Sequence, residues 1–397
     1  MVLLLIYALT LLLAVLISGL AKRSVLSTAV LFLAAGFLLG SGLLGRTPGL
    51  SEQVLQRMAE LALFAVLFTD GMRTGGVGEI RRTWHLPGRA LLIGMPLTIL
   101  GIALLAHFLV KTSWPMSFLI GSALSPTDPV FVAAIFDVEA VPARIKHLLN
   151  VESGLNDGLA LPLVVLLLSV VSGRGQRPAL VIWNLVFGVL IGVAIPWIGI
   201  RLEESRFFEA VGLFQPLNAF ALGLLVLAVA YATGANLFLA AFAAGVSVAS
   251  FSASVKESFE RFGELIAELL KLAAVFVFGA LIAPHFFQVL PFWSYVFVGL
   301  AVFAVRPIAI WLALARTELD RHEILTVGWF GPKGFASVVY GLMILAAGNS
   351  WAAHLIALAI AASIVVYSSS DILIGRWFQK RHAHSSPAEA ASPTHPG

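Results

Sequence analysis

No cysteine occurs among the 397 residues, which excludes disulfides, thiolate metal sites and cysteine nucleophiles. Charge is scarce as well: Asp, Glu, Lys and Arg make up 12% of the chain, where soluble domains carry about 25%. With 59% hydrophobic residues and so few charges, the chain cannot clothe its elements in a polar coat, and it reads as an all-α polytopic membrane protein. The net charge of +4 is spread along helix ends instead of gathering with aromatics on one face, so nucleic acid is removed as a partner. Glycine and proline are plentiful, 35 and 18 residues set mostly in apolar runs, and they predict helices that pack closely and break in places. Nine Trp and 28 Phe read as interfacial anchors and lipid-facing bulk, and no cofactor is expected.

Apolar runs of about 20 residues predict spans near 2–20, 25–44, 54–72, 86–110, 115–136, 146–171, 179–200, 214–232, 235–251, 262–284, 292–315, 324–347 and 351–373. No Lys or Arg precedes the first run, so it is expected to be a spanning helix and not a cleavable leader. About 13 spans place the termini on opposite sides. Sorted by loop, most of the 25 Lys and Arg fall on one side, among them Lys22, Arg23, Arg81, Arg82, Arg144, Lys271 and Arg376. The other side holds Arg46, Arg57, Lys111, Arg174 and Arg177. The excess of positive charge marks the cytoplasm, which puts the N-terminus outside and the C-terminus inside, as expected for a multi-pass protein of the cell membrane. Residues 1–380 form the transmembrane domain, and the polar, Pro-rich 381–397 is expected to be a disordered cytoplasmic tail.

Once the charges assigned to loops and helix ends are set aside, six remain within the membrane: Asp70, Asp128, Glu152, Asp157, Arg306 and Lys333. Each costs about 3 kcal/mol or more at the bilayer centre, so each needs a partner, a water-filled cavity or a proton. The fifth span contains GSALSPTDPV at 121–130, where Pro126 and Pro129 each lack a backbone donor and open the helix around Ser125 to Asp128. Unwound backbone at this depth survives only where it is buried in protein or lines a cavity, and there its carbonyls suit a small cation. The twelfth span is interrupted in turn by Gly331, Pro332 and Gly334 in GWFGPKGFAS, 328–337. If the seventh span is a linker, spans 1–6 and 8–13 form two inverted repeats of six. The broken helix is then the fifth member of each, and the two breaks cross near the midplane.

The sixth span carries VESGLNDGLALPLV at 151–164. Ser153 and Asp157 are four apart and share one helical face, as do Glu152 and Asn156 on another. A hydroxyl and a carboxylate aimed at the broken fifth span are hard oxygen donors, suited to an alkali cation and a proton and unsuited to zinc or copper. Asn156 can bond to freed backbone groups without adding charge. Glu152 then requires a counter-charge, for which Arg306 in VRPIAIW is the candidate.

At these residues the chain resembles the monovalent cation:proton antiporter family, in its sodium/proton exchanger branch with an Asn and Asp pair on the sixth helix. The shared features are Thr127 and Asp128 before a proline, ESGLND from Glu152 to Asp157, Arg306 in the eleventh span and GxKG in the twelfth. The resemblance implies that Asp128 and Asp157 bind cation and proton. Ser153 and the Thr127 main chain would complete a sodium site, with Asp70 of LFTDG contributing. It implies a structural ion pair between Glu152 and Arg306, with Asn156 and Lys333 in support; Lys333 stands where many relatives have arginine. It further implies electroneutral exchange of sodium or lithium for protons, and a homodimer in the bilayer, with no enzymatic activity. Potassium/proton exchange is the alternative within the class, because ligand chemistry does not separate the two cations. An intramembrane aspartyl protease using Asp128 and Asp157, or a cation channel, are alternatives of other classes; the protease has no use for the second broken helix or Arg306, and saturable exchange with a pH gradient separates the channel.

Overall fold

The computed structural model describes residues 2–16, 28–40, 52–128, 141–173, 178–203, 214–286 and 290–385, and every regular element among them is helical. In chain order these are α1 (Val2–Leu16), α2 (Thr28–Gly40), α3 (Glu52–Arg73), α4 (Gly76–Thr83), α5 (His85–Leu109), α6 (Trp114–Leu124), α7 (Ala143–Val171) and α8 (Pro178–Glu203). There follow α9 (Gln215–Thr233), α10 (Leu237–Phe251), α11 (Ala253–Phe286), α12 (Phe292–Leu314), α13 (Arg321–Trp329), α14 (Phe335–Ala346) and α15 (Ser350–Ser385). Helix falls within each of the expected apolar runs. Among the described residues five stretches, His85–Leu109, Ala143–Val171, Ala179–Glu203, Phe292–Leu314 and Ser350–Tyr367, are long and apolar enough to cross a bilayer. The protein is a membrane protein.

The helices pack into two bodies. In the first, α1 lies on α2, α2 on α11, α3 on α10 and α11, and α8 and α9 cover α10. Close approach here depends on absent side chains. A Cβ at Gly36 or Gly279 would run into the opposite backbone where α2 crosses α11, and Gly71 and Gly245 do the same service for α3 and α10. The second body gathers α5, α6, α7, α12, α13, α14 and α15. Its hinge-like ends are stitched by polar groups: Asp320 and Glu323 form a capping box at the start of α13. Arg144 of α7 donates to the same Glu323 Oε1 at 2.9 and 2.6 Å. Arg89 of α5 donates to the carbonyls of Ala313 and Ala315 at the end of α12, at 2.8 and 3.0 Å, where last-turn carbonyls lack helical partners.

Among the described residues two π-helical turns interrupt this second body, Ala90–Gly94 in α5 and Ala301–Val305 in α12. Each is followed two residues on by a proline, Pro96 and Pro307, whose missing N–H and ring disturb the ladder at the Leu92 and Phe303 carbonyls inside the turns. Such turns free backbone carbonyls and cluster at functional sites. The one at Val302 is answered by the buried Tyr367 hydroxyl of α15, which donates to it at 2.6 Å.

Three features depart from expectation. The short helix α4, GVGEIRRT, occupies what reads as a loop, and it packs against α10 with Val77 N–H donating to the Ser250 hydroxyl at 3.0 Å. The last helix runs on to Ser385, five residues into the expected tail. Lys271, sorted with the cytoplasmic loop charges, is instead buried within the 34-residue α11. Pro129 and the second half of the fifth span, Lys22, Arg23, Arg46, Arg174, Arg177 and residues 386–397 lie outside the described residues.

Tyr367→Phe leaves the Val302 carbonyl unpaired at depth and is expected to lower stability by roughly 1 kcal/mol. Thermal unfolding in detergent, with the exposed Tyr231→Phe as the unchanged control, measures it.

Candidate functional site

The site begins with a gap in the backbone ladder. α6 stops at Leu124, and Ser125 to Asp128 leave the helix while remaining buried. Opposite them, α13 ends at Trp329 and α14 starts at Phe335, leaving Phe330 to Gly334 extended and buried. The two breaks meet. The Asp128 N–H donates to the Pro332 carbonyl at 3.0 Å, so each unwound strand satisfies the other where no water is at hand. Gly334 has ordinary backbone angles, φ −93 and ψ −167. It is glycine for room, because a Cβ there would collide with the Asp128 Cβ. Gly331 is glycine for the same reason against the Arg306 side chain.

Helix α7 fills the remaining demands of the fifth-span break. Ser153 Oγ donates to the Thr127 carbonyl at 2.9 Å, and the Asn156 amide donates to the Thr127 Oγ1 at 2.9 Å and to the same carbonyl at 3.3 Å. Both lone pairs of the Thr127 carbonyl are thereby engaged, so a cation at that atom would displace one of these donors. The Asn156 Oδ1, by contrast, is buried with no hydrogen-bond partner among the described residues. It is an oxygen acceptor left open beside two carboxylates, and it fits a hard cation. Asp157, one turn beyond Ser153, is buried, and its main-chain carbonyl accepts from the Tyr340 hydroxyl of α14 at 2.8 Å.

The predicted ion pair is present. Arg306 Nη1 and Nη2 meet Glu152 Oε1 and Oε2 at 2.8 and 3.1 Å, a two-pronged contact between side chains only 3% and 4% exposed. Nη2 also donates to the Phe330 carbonyl at 3.3 Å, so the same guanidinium fastens the twelfth-span break to α12 and α7. Lys333 sits within that break, its N–H donating to the Ser363 hydroxyl at 3.0 Å. Its Nζ is buried with no hydrogen-bond partner among the described residues. Asp70 stands across from α7, with its carbonyl near Gly154, and its carboxylate is 3.7 Å from Arg73 one turn on.

Sequence reasoning missed one member of the cluster. Lys271 of α11 places its Nζ 3.7 Å from Asp128 Oδ2, with side chains 8% and 6% exposed. Asp70, Glu268, Arg73 and Asp157 are further charges that lie within electrostatic reach of it. A signal was available: Glu264, Glu268 and Lys271 follow one another at spacings of four and three, which marks one face of the otherwise apolar run 262–284.

The chain is 27% identical over 326 residues to the K(+)/H(+) antiporter NhaP of Alkalimonas amylolytica, covering 80% of this chain and 56% of that protein. It is 30% identical over 268 residues to the Na(+)/H(+) antiporter 2 of Zygosaccharomyces rouxii, covering 60% of this chain and 32% of that one. The chain therefore spans less than two thirds of the length of these relatives. Its fold is similar to that of the sodium proton antiporter MjNhaP1 from Methanocaldococcus jannaschii, with a TM-score of 0.74, 16% identity and cover of 94% and 95% of the two chains. A family model described as "Sodium/hydrogen exchanger, transmembrane" matches residues 8–378, and the chain belongs to that family.

Proposed function

We propose that this chain is a secondary active transporter that exchanges a monovalent alkali cation for protons across the cell membrane, and that it makes and breaks no covalent bond. The observation that carries the reading is the crossing of the two breaks. It sets Asp128, the open Asn156 Oδ1, the Ser153 hydroxyl and the buried Asp157 around one backbone opening. Asp128 and Asp157 alternate between a proton and the cation, since a buried carboxylate needs one or the other and the same oxygens serve both. Ser153 and Asn156 add neutral oxygens, Thr127 positions them, and Asp70 lends its charge from the facing helix.

Transport follows if the body carrying the breaks rocks against the other only when its carboxylates are neutralised. The plan of two inverted repeats within about 13 spans is supported by position. The π-helical turns fall in the fourth and eleventh spans and the breaks in the fifth and twelfth, each pair seven apart. The loop charges favour an outside N-terminus and a cytoplasmic C-terminus. Electroneutral exchange and a homodimer are what the resemblance implies. Sodium or lithium is the cation on the resemblance and on the named sodium relatives; potassium is the second reading, because the bacterial relative named above is called a potassium antiporter.

Proteoliposomes with an imposed pH gradient, offered sodium, lithium and potassium in turn, test the exchange. Asp157→Asn is expected to reduce cation-driven proton movement at least about 100-fold, the scale of losing one charged ligand worth ~3 kcal/mol; substantial retained exchange removes Asp157 from the site. In the Glu152 and Arg306 pair, each single change to Gln is expected to cost about 3–5 kcal/mol by stranding a buried charge, and the double change to recover part of it. A double variant as unstable as the worse single one refutes a structural pairing.

A further inference from the structure

The two bodies are each tied together by hydrogen bonds and ion pairs. Within the first, Arg73 meets Glu264 at 3.0 Å, Tyr7 donates to the Leu269 carbonyl and Asn236 N–H to the Asn184 carbonyl. Within the second lie Arg306 with Glu152, Arg144 with Glu323, Arg89 with the end of α12 and Tyr340 with Asp157. Between them, near the site, the contacts are largely apolar. Gly154 faces Thr74 and the Asp70 carbonyl, and Gly158 lies against the Phe242 ring, which also packs on Val151 and Leu155. Among the described residues one ion pair crosses this seam. Lys271 belongs to α11 of the first body, and Asp128 to the break carried by the second.

We propose that Lys271 is an interbody lock that holds the unloaded carrier still. The proposal rests on the antiport reading and adds to it a positioning residue. When Asp128 is ionised and empty, its attraction to the ammonium across the seam opposes rocking. When a proton or an alkali cation neutralises Asp128, the attraction is lost and the largely apolar seam lets the loaded body move. The lysine thus penalises the one step that would uncouple the fluxes, the return of an empty anionic site. An attraction of this kind acts only at short range in a low-dielectric setting, which the burial of both side chains provides.

The test compares wild type, Lys271→Met and Lys271→Arg in proteoliposomes, using whichever of sodium, lithium or potassium the wild type exchanges. Cation uptake is driven by an inside-negative potential from an inward thiocyanate gradient, without a pH gradient, while an internal dye follows protons. In the wild type, cation entry is expected only with matching proton exit. Lys271→Met is expected to add cation uptake with no proton counterflow, about ten-fold above the wild-type background, equivalent to ~1.4 kcal/mol of lost restraint. Lys271→Arg, which keeps the charge, is expected to remain coupled. Uptake by Lys271→Met that stays matched by protons overturns the lock, as does equal leak through Lys271→Arg, which would assign the effect to packing. If Lys271→Met does not fold, Lys271→Gln replaces it; failure of both, or a folded neutral variant with no exchange at all, leaves a purely structural ion pair and also overturns the lock. A wild type that exchanges none of the three cations defeats the antiport reading itself, which is a separate result.

Discussion

Everything in the second body answers to one constraint: a peptide group taken out of a helix in an apolar interior must find another partner or cost several kcal/mol. Two such openings exist, and neither could be closed alone. The Asp128 N–H finds the Pro332 carbonyl, the Thr127 carbonyl finds Ser153 and Asn156, and the Phe330 carbonyl finds Arg306. Arg306 in turn requires Glu152. The polar residues that make the site are therefore the same ones that repair the backbone, and the site is assembled by the repair. What is left over after repair is what a ligand can use, namely the Asn156 Oδ1 and the carboxylates.

The cost of this arrangement is met by rigidity elsewhere. Gly331 and Gly334 allow α12 and the fifth-span break to approach closer than any side chain would permit, and the π-helical turn in α12 has its carbonyl at Val302 capped by Tyr367. In the first body no broken helix of this kind occurs among the described residues, and its charges near the site, Asp70, Arg73, Glu264, Glu268 and Lys271, gather where α3 meets α11. Its helices instead close on one another through glycine contacts along their length. One body is built around a polar fault and the other around close apolar crossings, and the seam between them near the site is lined by Gly154, Gly158 and Phe242.

Much of this is legible in the sequence, for identifiable reasons. Prolines at 126 and 332 announce the breaks because they act locally, through a missing donor and a ring clash. The pairing of Glu152 with Arg306 follows from charge cost, since both lie in spans and each is otherwise stranded. The π-helical turns ALLIG and AVFAV are not legible in their own residues, which would continue an α-helix; the signal lies just after each, in Pro96 and Pro307. Lys271 is misplaced for another reason. It lies inside the apolar run 262–284 with Glu264 and Glu268 close by, and α11 continues through it without interruption from Ala253 to Phe286. A charge count by loop assigns such a lysine to water, and so overlooks one whose partner lies in a different body.

That difference of body separates the two buried ion pairs by role. Glu152 and Arg306 both belong to the second body, so in the proposed rocking their 2.8 Å contact would persist; it holds α7, α12 and the twelfth-span break in one frame. Lys271 and Asp128 belong to elements on opposite sides of the seam, and their 3.7 Å contact has to part in any motion of one body against the other. A pair that must be broken once in each cycle can be timed by whatever neutralises its acidic member, while a pair inside a rigid frame can time nothing. The identity of the helix that carries each partner, more than the burial or length of the contact, decides which carboxylate is part of the frame and which belongs to the working site.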